Sequence, residues 1–392
     1  MSRNATTQSP ELIESKEAAS RLGVSLQTLY AYVSRGKLGR VIDERTGKSL
    51  FSGREIQDFQ ERRDRGRRPE NVARASLHFG LPVLGSAVSS LHEGQLLYRG
   101  RNAVQLAESG TLETTAALLW ETRSLPRFHP PRLESVVERS SSGFVENFGR
   151  WLLATSLTQP RSEQRSPEHL LAHFHLILRA AVSIAAGAPR WSGDIHEQLA
   201  EALGFGEANA DLVRVALVLH ADHELNTATF AVRCVASTMA SPYSAVLAGL
   251  CASAGTRHAN FEATLACIDE CARHGDADTY VSGLHRNALD VPGFGHVLYP
   301  KGDPRAFALL DMIRRRYPER YAIVGRVIEA VRTIQGVHPK NDLALAALAH
   351  VCDCDATACR TIFLVARTVG WLAHTAEQYA SPLLIRPRAH AR

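Results

Sequence analysis

From residue 73 onward, apolar side chains recur every three or four positions, and runs that alternate at every second position are scarce. TLETTAALLWE, HLLAHFHLILRAAVSIAAGA, YSAVLAGLCASAG, AFALLDMIRRR and TIFLVARTVGWLAHTAEQ each lay an apolar stripe along one side of a helix. The spacing predicts a mainly all-α region of about 320 residues, a size at which one or two cores form. SLTQPRSEQRSPEHL, rich in Ser, Pro and Gln, reads as a surface connection rather than a domain boundary. No fixed-period repeat is visible, which argues against a solenoid.

Residues 11–65 carry a different pattern. Ala18, Ala19 and Leu22 fall at helical spacing behind Ser15 and stop at Gly23. Ser25 suits the N-cap of a second helix, LQTLYAYVSRG, which ends at Gly36 with Arg35 in its last turn. A hairpin is expected around Arg45-Thr46-Gly47, and SGREIQDFQERRDR returns to helix. Helix, turn, helix, hairpin, helix is the outline of a winged helix-turn-helix. EAASRLGVSLQTLYAYVSRGKL resembles the DNA-binding domain of mercury-resistance (MerR-like) regulators. That resemblance implies that Gln27, Thr28, Tyr30 and Tyr32 face a major groove. The same fold also serves dimer and protein contacts, so DNA is carried as the lesser expectation beside a packing role. The expected organisation is a flexible tail at 1–10, the helix-turn-helix and a basic linker at 11–72, and a helical domain at 73–392.

Charge changes this picture little. The net charge is +5, of which residues 1–72 contribute +4, and ERRDRGRR at 61–68 is the densest basic run. Such a run more often solvates a helix end than it contacts nucleic acid. With 45% apolar and 22% charged residues, the composition is that of a folded, water-soluble chain. MSRNATTQSP lacks the apolar stretch of a secretory signal, and no apolar run of membrane-spanning length appears, so a cytoplasmic site of action is expected. Seven scattered cysteines do not form a disulfide framework. His350, Cys352, Cys354 and Cys359 match no usual zinc spacing, so no metal is expected.

The chemistry lies where the apolar pattern breaks. HADHE at 220–224 drops His220, Asp222, His223 and Glu224 into a buried run, where ionisable groups cost free energy unless paired or used. GTRHANFEA places His258 near a helix start, VPGFGHVLYPKGDPRA carries His296 and Arg305, and HPKNDLALAAL puts Asp342 at a helix entry. Arg367 sits inside an apolar helix, and Arg386 lies near the end. Each has a bland reading, as a satisfied core histidine, a helix cap or a neutralised arginine. Together they suggest proton transfer beside a polyanionic small molecule, which arginine forks bind bidentately.

Taken in order, HADHELNTATF, GTRH, PGFGHVLYPKGDPRA, HPKND, ARTVGWLAHTAEQ and LIRPRA resemble the citrate synthase family, and in particular its subgroup with an N-terminal helix-turn-helix. The resemblance covers nearly all of 73–392, including Tyr98-Arg99-Gly100. It implies large and small helical domains, the small one at roughly 259–345. It also implies an Si-type condensation of acetyl-CoA, or a short homologue such as propionyl-CoA, with oxaloacetate. Coenzyme A is then part of a substrate, no cofactor is needed, and the chain forms a homodimer or higher oligomer. By the same resemblance His258, His296 and Asp342 are catalytic, and His223, Arg305, Arg367 and Arg386 bind substrate, Arg386 across the dimer. Asp222 and Glu224 are read as orienting or structural partners.

Two stretches depart from the family. Ala259-Asn260-Phe261 stands where glycine, glycine and alanine are usual, and is expected to narrow the acyl-CoA channel. Lys340-Asn341 stands where Asn-Val precedes the aspartate. These departures and the helix-turn-helix sustain a second reading, a degenerate synthase domain that senses a carboxylate for a regulator. Retention of Asp342 with both catalytic histidines favours the enzyme.

Overall fold

The computed structural model describes residues 12–34, 37–43, 46–53, 55, 56, 59, 84–123, 143–158, 166–187, 194–255, 258–287 and 289–387. The chain divides into two compact units, Met1–Gly85 and Ser86–Arg392.

In the first unit β1 (Leu12–Glu14) leads into α1 (Ser15–Leu22) and α2 (Leu26–Ser34), followed by β2 (Val41–Ile42) and β3 (Ser49–Ser52). The strands form an antiparallel sheet in the order β1-β3-β2. Gly23 closes α1 at a φ of 61°. Ser25 Oγ accepts the Thr28 N–H at 3.2 Å, the expected N-cap. The hairpin forms as expected, Asp43 N–H donating to the Lys48 carbonyl at 2.9 Å. β1 was not legible from helical spacing: Ile13, opposite Phe51, alternates inward between exposed neighbours. Ile13, Leu22, Leu29, Leu38, Phe51 and Ile56 are buried in this unit's small core. Tyr32 packs against that core, its ring 4.9 Å from Phe59, so it is not offered to a groove with Gln27 and Tyr30. Arg35, Gly36, Arg45 and the run at 61–68 lie outside the described residues.

The second unit opens with β4 (Ser89–His92), β5 (Gln95–Tyr98) and β6 (Arg101–Asn102), an antiparallel meander. Its first turn, Glu93-Gly94, takes φ values of 50° and 76°, the paired positive angles of a two-residue hairpin. Helices follow: α3 (Ala103–Ser109), α4 (Leu112–Leu119), α5 (Phe144–Thr158), α6 (Pro167–Ala186), α7 (Ile195–Ala202), α8 (Ala210–His220) and α9 (Thr227–Ser237). The chain continues through α10 (Pro242–Ser253), α11 (Phe261–His274), α12 (Ala277–Arg286), α13 (Pro304–Arg316), α14 (Pro318–Gln335), α15 (Asn341–Cys352) and α16 (Ala356–Tyr379).

Polar caps punctuate this order. Asn226 caps α9, Ser241 caps α10, Asp303 caps α13 and Asp355 caps α16, each accepting a first-turn N–H. The 24-residue α16 is the axis of the core, packed by α6, α8, α9, α10 and α11. α6 is long and apolar enough to cross a membrane by composition alone, yet it carries His175 and Arg179 and is buried from Ile177 to Ile184 within the unit.

Candidate active site

Burying HADHE is made possible by partners from both ends of the second unit. α8 ends at His220, and the turn that follows holds Glu224 at a φ of 48°. Tyr98 Oη lies 3.1 Å from the carbonyls of Val218 and Leu219 and accepts Asp222 N–H at 3.3 Å, so it caps the end of α8. Ser89 Oγ accepts Glu224 N–H at 2.9 Å and donates to Asp222 Oδ2. Leu91 N–H donates to Glu224 Oε1 at 3.0 Å. From α16, His374 Nε2 lies 3.2 Å from Asp222 Oδ2, both side chains fully buried. A Cβ on Gly370 would come 2.2 Å from Asp222 Oδ1, so only glycine lets α16 close on the turn. Burial alone would raise the Asp222 carboxyl, but His374 and the hydrogen bonds hold it below its ordinary value. Asp222 and Glu224 are thus orienting partners, and His223 between them is left to face the site.

Around His223 the GFGH loop closes one side of the cluster. Gly295 N–H donates to the His338 carbonyl at 2.9 Å and Lys340 N–H to the Gly293 carbonyl at 3.0 Å, which fastens the loop to the entry of α15. Gly293 has a φ of 87°, and a Cβ there would meet Thr264 Cγ2 at 2.6 Å. His223 Nε2 shares a 2.9 Å hydrogen bond with Tyr299 Oη, and the His296 ring lies 5.6 Å from that of His223. Arg305, only 4% exposed, donates from Nε at 3.0 Å and Nη2 at 2.7 Å to Asp303, which is fully buried. With its carbonyl oxygen turned inward, Asn341 accepts from Arg305 Nε and Nη1 at 3.2 Å each and lies 3.2 Å from His220 Nε2.

The other side of the cluster is built on Phe363. Its ring lies 5.8 Å from His258 and 6.0 Å from His220, with the Arg367 guanidinium 5.1 Å from its centroid. Arg367 is 3% exposed, and its Nε and Nη1 have no hydrogen-bond partner among the described residues. His258 Nδ1 is also buried without a partner among them. Asp342, in the first turn of α15, is paired through Oδ2 with Lys340 Nζ at 3.1 Å.

His258 does not begin a helix: α11 starts at Phe261, capped by Asn260, whose side chain accepts Ala263 N–H. Its low proton affinity therefore comes from burial first and Arg367 next, which together push it down to about 4. Phe261 is 1% exposed, in the core 5.7 Å from Phe363. Neither Ala259 nor Asn260 adopts a positive φ, so the backbone here does not require glycine. We predict that Ala259→Gly with Asn260→Gly, leaving Phe261 in place, changes acetyl-CoA turnover by less than about threefold. A larger gain in a thiol-release assay would show that these two side chains obstruct the acyl chain.

All four histidines bind protons weakly. Burial lowers His220 to about 3, with Arg305 adding to it. Burial, then Arg305, lowers His296 and takes His223 well below 6.5. In the unfolded chain each would take up a proton near pH 6.5, while the folded chain resists down to about 4 at His258. Stability from these groups is therefore complete above pH 6.5 and falls as pH drops from 6.5 towards 4. The slope is up to about 1.4 kcal/mol per pH unit for each histidine. Urea midpoints at pH 7.5, 6 and 5 should decline in step; a flat series would mean that the rings are solvated.

The structure thus gathers His220, His223, His258, His296, Arg305, Asp342 and Arg367 into one constellation. Arg386 is exposed on the segment after α16. Reading the sequence missed Tyr299, Asn341 and Phe363. Phe363 had a signal, four residues before Arg367 on the same helical face. The cysteine group is otherwise occupied, His350 Nδ1 lying 2.8 Å from Asp269 and Cys359 Sγ 3.2 Å from the Leu345 carbonyl.

The family model for citrate synthase, C-terminal domain, matches residues 78–388, and a helix-turn-helix domain model matches 12–64. Citrate synthase 2 of Bacillus subtilis (strain 168) is 28% identical over 347 residues, 79% of this chain and 93% of the relative. 2-Methylcitrate synthase 2 of Corynebacterium glutamicum is 29% identical over 180 residues, 44% of this chain and 46% of the relative. A citrate synthase from Thermoplasma acidophilum, solved as a ternary complex with carboxymethyl coenzyme A and oxaloacetate, matches with a TM-score of 0.66. That match covers 79% of this chain and 93% of the other at 20% identity, a likeness of fold.

Proposed function

We propose that this chain, which belongs to the citrate synthase family, condenses acetyl-CoA or a short acyl-CoA with oxaloacetate to give citrate, or its alkyl homologue, and CoA. The observation that carries this reading is Arg367, a buried guanidinium inside a histidine-lined site, with two nitrogens lacking hydrogen-bond partners among the described residues. A cation held this way costs free energy until an anion reaches it. Oxaloacetate brings two carboxylates, one for Arg367 and one for the Nη1 edge of Arg305. His223 and His296 then flank its ketone.

The proton chemistry follows from the protonation states. A thioester methyl is a weak carbon acid, so a carboxylate needs help to deprotonate it. His258, neutral above about pH 4, supplies a hydrogen bond to the thioester oxygen as charge develops there. Asp342 takes the methyl proton, and the enolate carbon attacks the ketone as His296 donates to its oxygen. Water then hydrolyses the thioester. Holding both substrates in line supplies the effective concentration that solution lacks.

Thiol release with oxaloacetate and a series of acyl-CoAs tests the proposal. A single methylene is weakly discriminated by an apolar pocket, so propionyl-CoA should be used within about 10–200-fold of acetyl-CoA. Absence of both thiol release and oxaloacetate binding would reject the reading.

The same proposal assigns Arg386 to the neighbouring subunit's site, since it stands exposed on the segment after α16. The chain should sediment as a dimer or larger, and Arg386→Ala should weaken oxaloacetate binding without dissociating it. An active monomer would contradict this.

A second reading, a carboxylate-responsive regulator, is supported by the helix-turn-helix match over 12–64 and the exposure of Gln27 and Tyr30 on α2. If it holds, DNA affinity falls steeply with salt and Gln27→Ala reduces sequence preference. DNA retention unchanged by either would favour a packing role.

A further inference from the structure

We infer that Ser89 is a positioning residue for the acceptor site, fixing His223 by bridging the two acidic residues around it. This rests on the reading of His223 as an oxaloacetate ligand. The Ser89 hydroxyl uses both of its capacities on one turn: it accepts the backbone N–H of Glu224 at 2.9 Å and donates to Asp222 Oδ2. One hydroxyl therefore spans His223 on both sides, and β4 adds the Leu91 N–H to Glu224 Oε1 at 3.0 Å. Ser89 lies in the first described strand of the second unit and is itself buried, so its bonds are not exchanged with solvent.

The demand for such a brace comes from the turn. Glu224 holds a positive φ that a non-glycine residue leaves readily when its N–H is unpaired. Asp222 is wholly buried, and its other oxygen, Oδ1, has no donor. Without Ser89 the carboxylate keeps only the 3.2 Å contact to His374. A change in either residue rotates the peptide that carries His223 and spoils its approach to Tyr299 and the acceptor. The serine touches no substrate in this account and acts through His223 alone.

Ser89→Ala should raise the dissociation constant for oxaloacetate about tenfold while the KM for acetyl-CoA stays within about twofold. Ser89→Thr, which keeps the hydroxyl, should restore affinity. Val327→Ala, buried in α14, provides a variant destabilised away from the site, and its oxaloacetate affinity should be unaltered. In a His223→Ala background the serine substitution should add less than about twofold, because the residue it acts through is gone. A folded Ser89→Ala with unchanged oxaloacetate affinity, or full additivity with His223→Ala, overturns the inference. Should Ser89→Ala not fold, Ser89→Cys takes its place, with a partial loss expected and unchanged affinity again overturning it. If the unaltered protein binds no oxaloacetate, the reading of the site fails instead, and the two failures are told apart.

Discussion

Asp342→Ala binds oxaloacetate as the unaltered protein does and loses about 10²–10⁴-fold in the rate of CoA release, the contribution of a positioned general base. The two measurements separate because the acceptor's expected partners, Arg305, Arg367, His223 and His296, do not include Asp342. Its ionic partner among the described residues is Lys340, partly exposed, so the ammonium left behind is screened by solvent and the fold is little disturbed. Calorimetry with oxaloacetate and thiol release with acetyl-CoA provide the comparison. Equal losses in both would place Asp342 in acceptor binding and leave the site without a base.

Arg367→Ala and Arg305→Ala should part company in an equally measurable way. Among the described residues Arg367 makes no hydrogen bond at Nε and Nη1, and Asp222, the buried anion nearest to it in charge, keeps Ser89 and His374, so removing Arg367 costs less folding stability than removing Arg305. Oxaloacetate affinity falls by about 2–5 kcal/mol, the usual loss when a buried charge-assisted contact is truncated. Arg305 instead neutralises Asp303, which is 0% exposed. Arg305→Ala should weaken oxaloacetate binding and, in addition, lower folding stability by about 3–5 kcal/mol, because an uncompensated carboxylate remains in the core. Urea unfolding beside calorimetry tests both. Equal destabilisation in the two variants would mean that Arg367 has a structural counter-ion after all.

What could be read from the sequence was whatever short stretches carry by themselves. HADHE, GFGH and HPKND each hold their candidate residue within a few positions of the glycines, prolines and caps that shape the backbone around it, and the helical stripes predict a mainly helical second unit. What escaped needed distant partners. The β4–β5 hairpin is built from eight residues plus a Glu-Gly turn, too short to stand out against helical periodicity. Tyr32 looked outward on a bare helix, but Phe59 turns it into the core. The pairing of Arg305 with Asp303 follows from the DPR cap of α13, a contact that the role implied for Arg305 as a substrate ligand does not include. His258 lies ahead of the helix start, which falls at Phe261, and burial with Arg367 keeps the ring neutral.

The turn at Asp222 has a consequence for the order in which the protein comes into being. Its fastenings lie 133 residues before it at Ser89 and 152 residues after it at His374. Loops of that length close slowly, and the later one cannot close at all until α16 has left the ribosome. A chain stopped ahead of Gly370 would hold every residue proposed for the acceptor but Arg386, yet lack the second half of α16, with Gly370 and His374, that shuts over Asp222. Such a fragment should be open at this turn and sensitive to proteolysis there, with no affinity for oxaloacetate. Acceptor binding during synthesis would therefore appear as a late, single step that reports completion of the chain.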